Sequence, residues 1–140
     1  MSVDEIISDF EFLDDWEDRY RYIIDLGRSL AALPEAERSA ENKVRGCASQ
    51  VWLSTRIDHA GGKPHFRFIG DSDALIVRGL VAIVIALFDD KTADEILATD
   101  AEAIFAKLDL RAHLTAQRSN GLRALVDRIR ADAATLRTPV

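Results

Sequence analysis

Apolar residues recur at helical spacing through the first part of the chain, with polar residues between them. The pattern predicts a short helix over Val3–Phe12 and a second, amphipathic helix that begins at Trp16 in the stretch WEDRYRYIIDLGRSLAAL. Asp14 and Asp15 precede the second helix, where negative charge favours a helix N-terminus. Pro34 ends the regular pattern, and we expect the stretch PEAERSAENK to be an exposed and mobile connector.

From Gln50 onward the helical period gives way to alternation, which is typical of a strand. Val51, Leu53 and Ile57 alternate with polar neighbours and define the first strand. The stretch HAGGKP supplies a turn, and renewed alternation over residues 65–70 predicts a second strand. The two strands are expected to pair antiparallel.

A long apolar stretch, SDALIVRGLVAIVIALFDD, follows the second strand. Its Val and Ile content would also suit a strand, but its length favours a helix over Ala74–Phe88, and Ser72 and Asp73 are good helix caps. Because this helix is apolar on nearly all sides, we expect it to be buried at the centre of the fold.

Three further helices are predicted in the C-terminal part. The stretch TADE, from Thr92, is a capping box that opens a short helix, and another helix covers Ala101–Lys107. Helices before and after a small antiparallel sheet make the fold class α+β, with the helices packed around the sheet in one domain over residues 1–140. The last helix carries one apolar stripe, formed by Leu122, Leu125, Val126, Ile129, Ala133 and Leu136.

Composition and charge argue against several classes of function. A formal net charge of −6 with scattered basic residues disfavours nucleic acid as a partner. The longest apolar run, Leu80–Phe88, is far shorter than the roughly 20 residues of a membrane span, so no membrane partner is expected. The acidic start MSVDEIISDFEF lacks the features of a secretion signal, which predicts a cytoplasmic location. One cysteine permits no internal disulfide, and neither a metal site nor a cofactor is expected.

The single cysteine, Cys47, lies in the stretch NKVRGCASQVWL, between the predicted connector and the first strand. A free cysteine is often a small buried apolar residue. Here the small neighbours Gly46 and Ala48 leave room for a reacting group to approach. Lys43 and Arg45 place positive charge nearby, which favours the nucleophilic thiolate. A position between a polar connector and a strand is also typical of functional loops.

The rest of the sequence limits what a reactive Cys47 could do. A Cys–His hydrolase needs an imidazole within hydrogen-bond reach, but His59 and His65 flank the predicted hairpin turn, and all three histidines, His113 included, are expected at the surface. A dithiol oxidoreductase would need a second cysteine. A persulfide carrier fits a single thiol, because a second thiol nearby would attack the persulfide and release sulfide.

Four stretches, RYRYIIDLG, NKVRGCASQVWL, GDSDALIVRGLVAIV and LTAQRSNGL, resemble the SufE family of sulfur acceptors in sequence and order, from about Asp15 to Ile129. The resemblance implies a fold shared with the NifU and IscU scaffold proteins. It also implies an activator without independent turnover, whose partner is a PLP-dependent cysteine desulfurase, SufS-like or CsdA-like. Cys47 would accept sulfane sulfur as a persulfide and pass it to an iron-sulfur cluster assembly scaffold, such as a SufBCD-like complex.

Several residues are expected to support Cys47. Ser49 and Gln50 are candidates for hydrogen-bonding a thiolate or persulfide, Arg45 adds charge, and Gly46 adds backbone freedom.

Other residues each have a functional and a structural interpretation. Asp73, with Ser72, could hold the Cys47 loop or simply cap the buried helix, and we favour the cap. Arg118, with Asn120, matches the family motif and could contact the loop or the desulfurase, or be an exposed residue at a helix start. Trp52 is expected to pack rather than to bind a ligand.

Two other functions remain open on the sequence. One is a stand-alone, peroxidase-like enzyme with a single catalytic cysteine, and the other is a structural adaptor in which Cys47 has no role. If the protein is a carrier, its persulfide is open to attack by any thiolate. We therefore expect the loop to shelter Cys47 against the apolar surface around Trp52 and the start of the central helix.

Overall fold

A computed structural model describes residues 2–46, 49–59 and 61–136 of the chain, without the side chains of Arg111 and Leu136. In the sequence, helices precede and follow a two-stranded antiparallel sheet. The predicted α+β fold class is therefore confirmed. In chain order the elements are α1 (Val3–Phe12), α2 (Trp16–Arg28), a 3-10 turn (Glu35–Glu37), β1 (Val51–Asp58), β2 (His65–Ser72), α3 (Leu75–Phe88), α4 (Ala93–Ala98), α5 (Ala101–Lys107), α6 (Leu110–His113) and α7 (Ala116–Leu136).

Helix α3 is the central element, as its apolar sequence predicts. Ile83, Val84 and Phe88 are completely buried. Helix α2 packs on α3 backbone to backbone, because a Cβ atom on Gly79 would lie 2.0 Å from the carbonyl oxygen of Ile23. Glycine is therefore required at this crossing, although it is a poor helix former.

The β-hairpin has the predicted antiparallel register, from Val51 opposite Ser72 to Asp58 opposite His65. One face packs on α3: a Cβ atom on Gly70 would lie 2.8 Å from Val81 Cγ1, so only glycine fits there without rearrangement. The strands fix the orientation of the residues that follow β2 and precede β1, which are the turn before α3 and the end of the cysteine-bearing loop.

The connector after α2 is exposed over most of its length, as predicted, but it is not a free segment, because two of its charged residues bind the sheet. Glu37 accepts a hydrogen bond from the Ser54 hydroxyl at 2.6 Å and pairs with Arg56 at 2.9 Å. Arg38 donates to the buried carboxylate of Asp71 at 2.5 Å. These partners are 17 to 33 residues away in sequence, so local composition could not indicate them.

Helix α2 is shorter than its apolar stretch suggested. It ends at Arg28, where the Ser29 hydroxyl donates to the carbonyl oxygen of Leu26 and competes with continuation of the helix. Leu33 is nevertheless buried, so the apolar residues beyond the helix end still contribute to the core.

The C-terminal helices largely confirm the prediction. The capping box at Thr92 and Glu95 is present at the start of α4, and α5 has the predicted bounds. The short α6 was not predicted; it follows Asp109, whose φ of 55° turns the chain sharply. Helix α7 begins well before its apolar stripe, and in the described ranges no helix is both long and apolar enough to cross a membrane.

Candidate functional site

The two ends of the loop between residues 44 and 51 are joined to each other. The Val44 N–H donates to the Val51 carbonyl at 2.8 Å, and the Leu53 N–H donates to the Asn42 carbonyl at 2.8 Å. Val44 and Val51 are both buried in the core. A short antiparallel pairing thus anchors the residues that precede and follow Cys47, although Cys47 and Ala48 themselves lie outside the described residues.

A second attachment joins the end of this loop to the turn before α3. The Gln50 N–H donates to Asp73 Oδ1 at 3.1 Å, and the Asp73 N–H donates to the Gln50 carbonyl at 3.2 Å. Gln50 contributes its backbone to this contact.

The preference for Asp73 and Ser72 as helix caps was wrong. The N-cap residue of α3 is Ala74, which makes no side-chain cap hydrogen bond. Ser72 is the last residue of β2, and its hydroxyl accepts a hydrogen bond from the Ala74 N–H at 3.3 Å. The carboxylate of Asp73 reaches across to the loop, because β1 and β2 bring Gln50 opposite it. The Asp73 side chain therefore bonds to Gln50, which is distant in sequence, rather than capping α3 as local rules predict.

Gly46 enters the loop with a backbone conformation that favours glycine. Its φ is +92°, in the left-handed region, and a Cβ atom there would lie 3.3 Å from the Cβ of Ala124 on α7. Conformation and close approach to α7 both explain glycine at this position. Arg45 is exposed and, with Lys43, lines a cleft beside α7.

A partly open cavity of about 210 Å³ lies beside the loop, against the starts of α3 and α7. Roughly 30 Å³ of liquid volume is occupied by one water molecule, so this space is ample for a sulfur atom. Its walls are mainly aliphatic, and its polar lining groups come from the loop and from the start of α7. The lining residues are Ser49, Val51, Val77, Leu80, Val81, Thr115, Gln117, Arg118, Gly121, Leu122 and Leu125.

Two of the predicted site residues, Ser49 and Arg118, therefore line one cavity. The Arg118 N–H donates to Thr115 Oγ1 at 3.2 Å at the start of α7, while the Arg118 side chain is exposed. Thr115 and Gln117 were not predicted to belong to the site; their only signal in the sequence is proximity to Arg118 in the stretch LTAQRSNGL.

The ends of two helices give this cavity a favourable electrostatic environment for an anion. Val77 lies in the first turn of α3, and Arg118 in the first turn of α7. A helix N-terminus carries partial positive charge, which stabilises negative charge nearby. The exposed guanidinium of Arg118 has the same sign.

Trp52 packs on the sheet and also contacts the cation of Arg38. It is half-buried and lies under the guanidinium of Arg38, whose central carbon is 5.3 Å from the ring centroid. Arg38 also binds Asp71, and Arg78 Nε lies 3.0 Å from the other oxygen of the same carboxylate. The tryptophan is thus part of a packed, charged cluster on the sheet, in keeping with the prediction that it packs.

The three histidines differ from one another. His59 and His65 lie at the turn end of the hairpin, about 26 Å along the eight residues of β1 from the loop. His113 was predicted at the surface, but it is half-buried: its ring stacks on Trp16 with centroids 3.9 Å apart, and its Nε2 lies 3.4 Å from Asp109 Oδ2. Among the described residues no group of three or more His, Cys, Asp or Glu side chains could hold a metal ion.

The described part of the chain combines an α+β fold with a loop that is anchored at both ends beside a mainly aliphatic cavity, and the sequence places its single cysteine in that loop. A model of the SufE family, described as an Fe-S metabolism associated domain, matches residues 4–133. The chain belongs to the SufE family. It therefore has a role in iron-sulfur metabolism and sulfur transfer, and a cysteine desulfurase is the kind of partner that the family implies.

Two relatives agree with the family assignment, and a solved structure shows the same fold. The chain is 56% identical over 132 residues to an uncharacterized SufE-like protein of Rhizobium meliloti (strain 1021), covering 94% of both chains. It is 59% identical over 132 residues to an uncharacterized SufE-like protein of Rhizobium etli, covering 94% of this chain and 89% of the other. The solution structure of a hypothetical protein from Thermus thermophilus has the same fold, with a TM-score of 0.74, 16% identity, and coverage of 96% and 97% of the two chains.

Proposed function

We propose that this protein accepts sulfane sulfur on Cys47 from the persulfide of a PLP-dependent cysteine desulfurase and passes it to an iron-sulfur cluster assembly scaffold. The Cys47 thiolate attacks the outer sulfur of the desulfurase persulfide. A new sulfur–sulfur bond forms on Cys47, the bond in the desulfurase breaks, and the desulfurase cysteine leaves as a thiolate. No net oxidation or reduction occurs, so no additional redox partner is needed.

The observation that carries this proposal is the double anchoring of the loop beside an apolar cavity. The pairing of Val44 with Val51 and the two hydrogen bonds between Gln50 and Asp73 hold the ends of the loop. A carrier needs a thiol that a partner can reach and then release, and a short loop on a rigid base suits this task. Gly46 provides a backbone position at which the loop can change direction.

The cavity also suggests how the sulfur is protected between transfers. A persulfide displayed in the cytoplasm would lose its outer sulfur to small thiols such as glutathione. The mainly aliphatic walls of the cavity would limit the access of water and competing thiols to a sulfur turned inward. We propose that the loop alternates between a sheltered state and a state turned outward on docking, with Asp73 holding the sheltered state.

The protein would act as an activator rather than as an enzyme with its own turnover. Removal of the persulfide regenerates the desulfurase thiolate, so the desulfurase can begin its next cycle sooner. No PLP is required by this chain, because the PLP belongs to the partner.

The test is the rate of sulfide release by a cognate desulfurase from free cysteine, in the presence of reductant. Wild-type protein should raise this rate, whereas Cys47→Ser should not, although the variant should keep the wild-type melting temperature. Equal stimulation by both proteins would contradict the relay. Peroxide turnover by the isolated wild-type protein would favour the peroxidase-like alternative instead.

A further inference from the structure

The outer edge of strand β2 carries backbone groups that do not bond to β1. In an antiparallel pair, opposite residues alternate between bonding to each other and pointing their N–H and C=O groups away from each other. Leu53 lies opposite Gly70, and the Leu53 N–H donates away from β2, to the Asn42 carbonyl. The N–H and C=O of Gly70 therefore point away from β1, out of the edge of the sheet.

The protein's own chain covers the first part of this edge and then leaves it. The Phe66 N–H donates to the Lys91 carbonyl at 2.8 Å, and the Phe66 carbonyl accepts the Asp90 N–H at 2.7 Å, so that Phe66 and Lys91 form an antiparallel bridge. In the part of the chain that the structure describes, no hydrogen bond reaches the N–H or the C=O of Gly70. A third strand position thus begins beside Phe66 and is not continued beside Gly70.

A groove of about 780 Å³ lies along this part of the edge, which is within the usual size of a ligand site. Besides β2, it is lined by residues of α3, of the start of α1 and of the end of α2, among them Leu26, Leu30 and Ile85. Gly70 lines the groove but is buried, so the edge is recessed between these elements. A second copy of this chain cannot pair with it edge to edge, because its own β2 edge is recessed in the same way. A slender, extended segment fits such a groove.

The groove also has a basic part. Arg56 and Arg67 both line it and lie directly opposite each other in the strand register, where like charges are destabilising. Glu37 pairs with Arg56 at 2.9 Å and Asp89 pairs with Arg67 at 3.3 Å. The Arg67 side chain is nevertheless 51% exposed, and a guanidinium has five N–H donors. These arginines therefore keep donors for a further carboxylate.

We propose that this groove binds an extended segment of a partner protein, which adds to β2 as a third, antiparallel strand. The antiparallel direction continues that of the bridge to Lys91. A bound residue opposite Gly70 shares its face of the sheet, toward Ile85, and is aliphatic. The next residue points to the opposite face, which carries Arg67, and is acidic. Backbone hydrogen bonds to Gly70 supply affinity, and this alternation of aliphatic and acidic side chains supplies specificity.

This surface is separate from the site of the proposed sulfur transfer. The groove shares no lining residue with the cavity beside the Cys47 loop. The inference goes beyond the proposed function and does not rest on it, because peptide binding is measured without a desulfurase. Cys47→Ser should bind the peptide as tightly as wild type does.

Backbone pairing is tested with a synthetic peptide, Val-Glu-Val-Glu-Val-Glu, acetylated at its N-terminus and carrying a fluorophore at its C-terminus. Its dissociation constant is measured by fluorescence anisotropy. In an antiparallel guest strand the valine N–H groups face β2 and the glutamate N–H groups face away. N-methylation of the valines should therefore raise the dissociation constant about tenfold or more, and N-methylation of the glutamates should change it little. Absence of saturable binding, or equal affinity of the two methylated peptides, would overturn strand addition.

The location is tested by filling the groove. Ala86 lies on α3, is half-buried and lines the groove, so Ala86→Leu should raise the dissociation constant of the peptide about tenfold while the protein stays folded. Ala103→Leu, at an exposed site on α5, is the matched control and should bind as wild type does. An unchanged affinity in a folded Ala86→Leu would overturn the location. A doubled mass of the wild-type protein that the peptide reverses would assign the groove to a second copy instead, and would also overturn the proposal.

The charge preference is tested by pairing a protein change with a peptide change. Arg67→Gln should weaken binding of the glutamate peptide about two- to fivefold, as expected for an exposed ion pair. The same variant should not weaken binding of a peptide in which glutamine replaces every glutamate. Arg21→Gln is the control, because Arg21 is in an equally simple surface ion pair on α2, at 71% exposure, and does not line the groove. Equal losses for both peptides in Arg67→Gln would overturn the preference for acidic side chains.

Discussion

Gln50 and Asp73 exchange two hydrogen bonds across 23 residues of sequence, one through the Asp73 carboxylate and one through its backbone N–H. The contact joins the loop that contains Cys47 to the turn that begins the central helix. It couples the position of the loop to the start of the central, largely buried helix. The carboxylate is the only part of this contact that a substitution can remove without changing the backbone.

Removal of the Asp73 carboxylate should release the loop. Asp73→Ala deletes one accepted hydrogen bond, whose net contribution of roughly 0.5–1.5 kcal/mol corresponds to a change of about two- to tenfold in the population of an open loop. We expect Cys47 in this variant to react with iodoacetamide faster than in wild type by that factor. The measurement is the rate of alkylation followed by mass spectrometry.

The control for this prediction is Asp89→Ala. Asp89 also accepts a backbone N–H, from Phe68 at 2.9 Å, but at the end of α3 that is remote from the loop. Its removal should leave the alkylation rate unchanged. Equal rates in wild type and Asp73→Ala would show that Asp73 does not hold the loop.

The connector should contribute pH-dependent stability through Glu37. The hydrogen bond from Ser54 and then that from Arg56 lower the pKa of Glu37 below the ordinary value of 4.5. A lowered folded-state pKa gives stability that is present above pH 4.5 and is lost as the pH falls through the folded pKa. Glu37→Gln should therefore melt below wild type at about pH 7, and the difference should shrink as the pH falls through that window.

Glu35→Gln is the control for this experiment. Its carboxylate is 94% exposed and lies 3.9 Å from Arg38, so it should show little effect at either pH. A Glu37→Gln difference that stays constant down to low pH would contradict a role for the ionised carboxylate.

Truncation within the central helix should destabilise the whole fold. Ile83 is completely buried, and Ile83→Ala should lower the free energy of unfolding by about 2–5 kcal/mol, the usual cost of a cavity at a buried aliphatic site. Leu80→Ala, at a site 3% exposed, should behave similarly. Leu75→Ala in the same helix removes an exposed side chain and should change stability little. Denaturant unfolding gives the free energy of unfolding of the three variants. Because all three positions are in α3, a difference between them reports burial of the side chain and not its location in the helix.

Gly79→Ala should have two opposite effects on stability, a gain in helix propensity and a loss of packing between α2 and α3. Alanine favours a helix over glycine by about 1 kcal/mol, so an unpacked site would be stabilised. At this site the new Cβ would lie 2.0 Å from the Ile23 carbonyl oxygen, and α2 would have to move away from α3. We expect a net loss of about 1–3 kcal/mol in the free energy of unfolding. A variant more stable than wild type would contradict the close crossing of the two helices.

Local periodicity was enough to predict most of the elements of this fold. The alternation around Val51 and Leu53 indicated the hairpin and its antiparallel pairing, and the apolar length of α3 indicated a central helix. Alternation and apolar length are both properties of residues that are adjacent in the sequence, so they can be recognised without the structure. The short α6 escaped prediction because four residues carry too little periodicity, and the turn at Asp109 has no glycine to mark it.

The arrangement of the site was harder to predict, because its contacts join residues far apart in sequence. Local rules assign Asp73 to a helix cap, and only the pairing of the strands shows that its carboxylate meets Gln50. The connector looked mobile by composition, but Arg38 binds an aspartate that is buried on the sheet. Cys47 lies outside the described residues, so its sheltering by the loop stays a prediction.

The central claim is that Cys47 receives sulfur, and the intact mass of the protein tests it most directly. Wild-type protein is incubated with a PLP-dependent cysteine desulfurase and free cysteine, separated from the enzyme without reductant, and weighed by mass spectrometry. We predict a gain of one sulfur atom that is reversed by reductant and is absent from Cys47→Ser. An unchanged mass in wild type, under conditions in which the desulfurase carries its own persulfide, would contradict the account, as would an equal gain in Cys47→Ser.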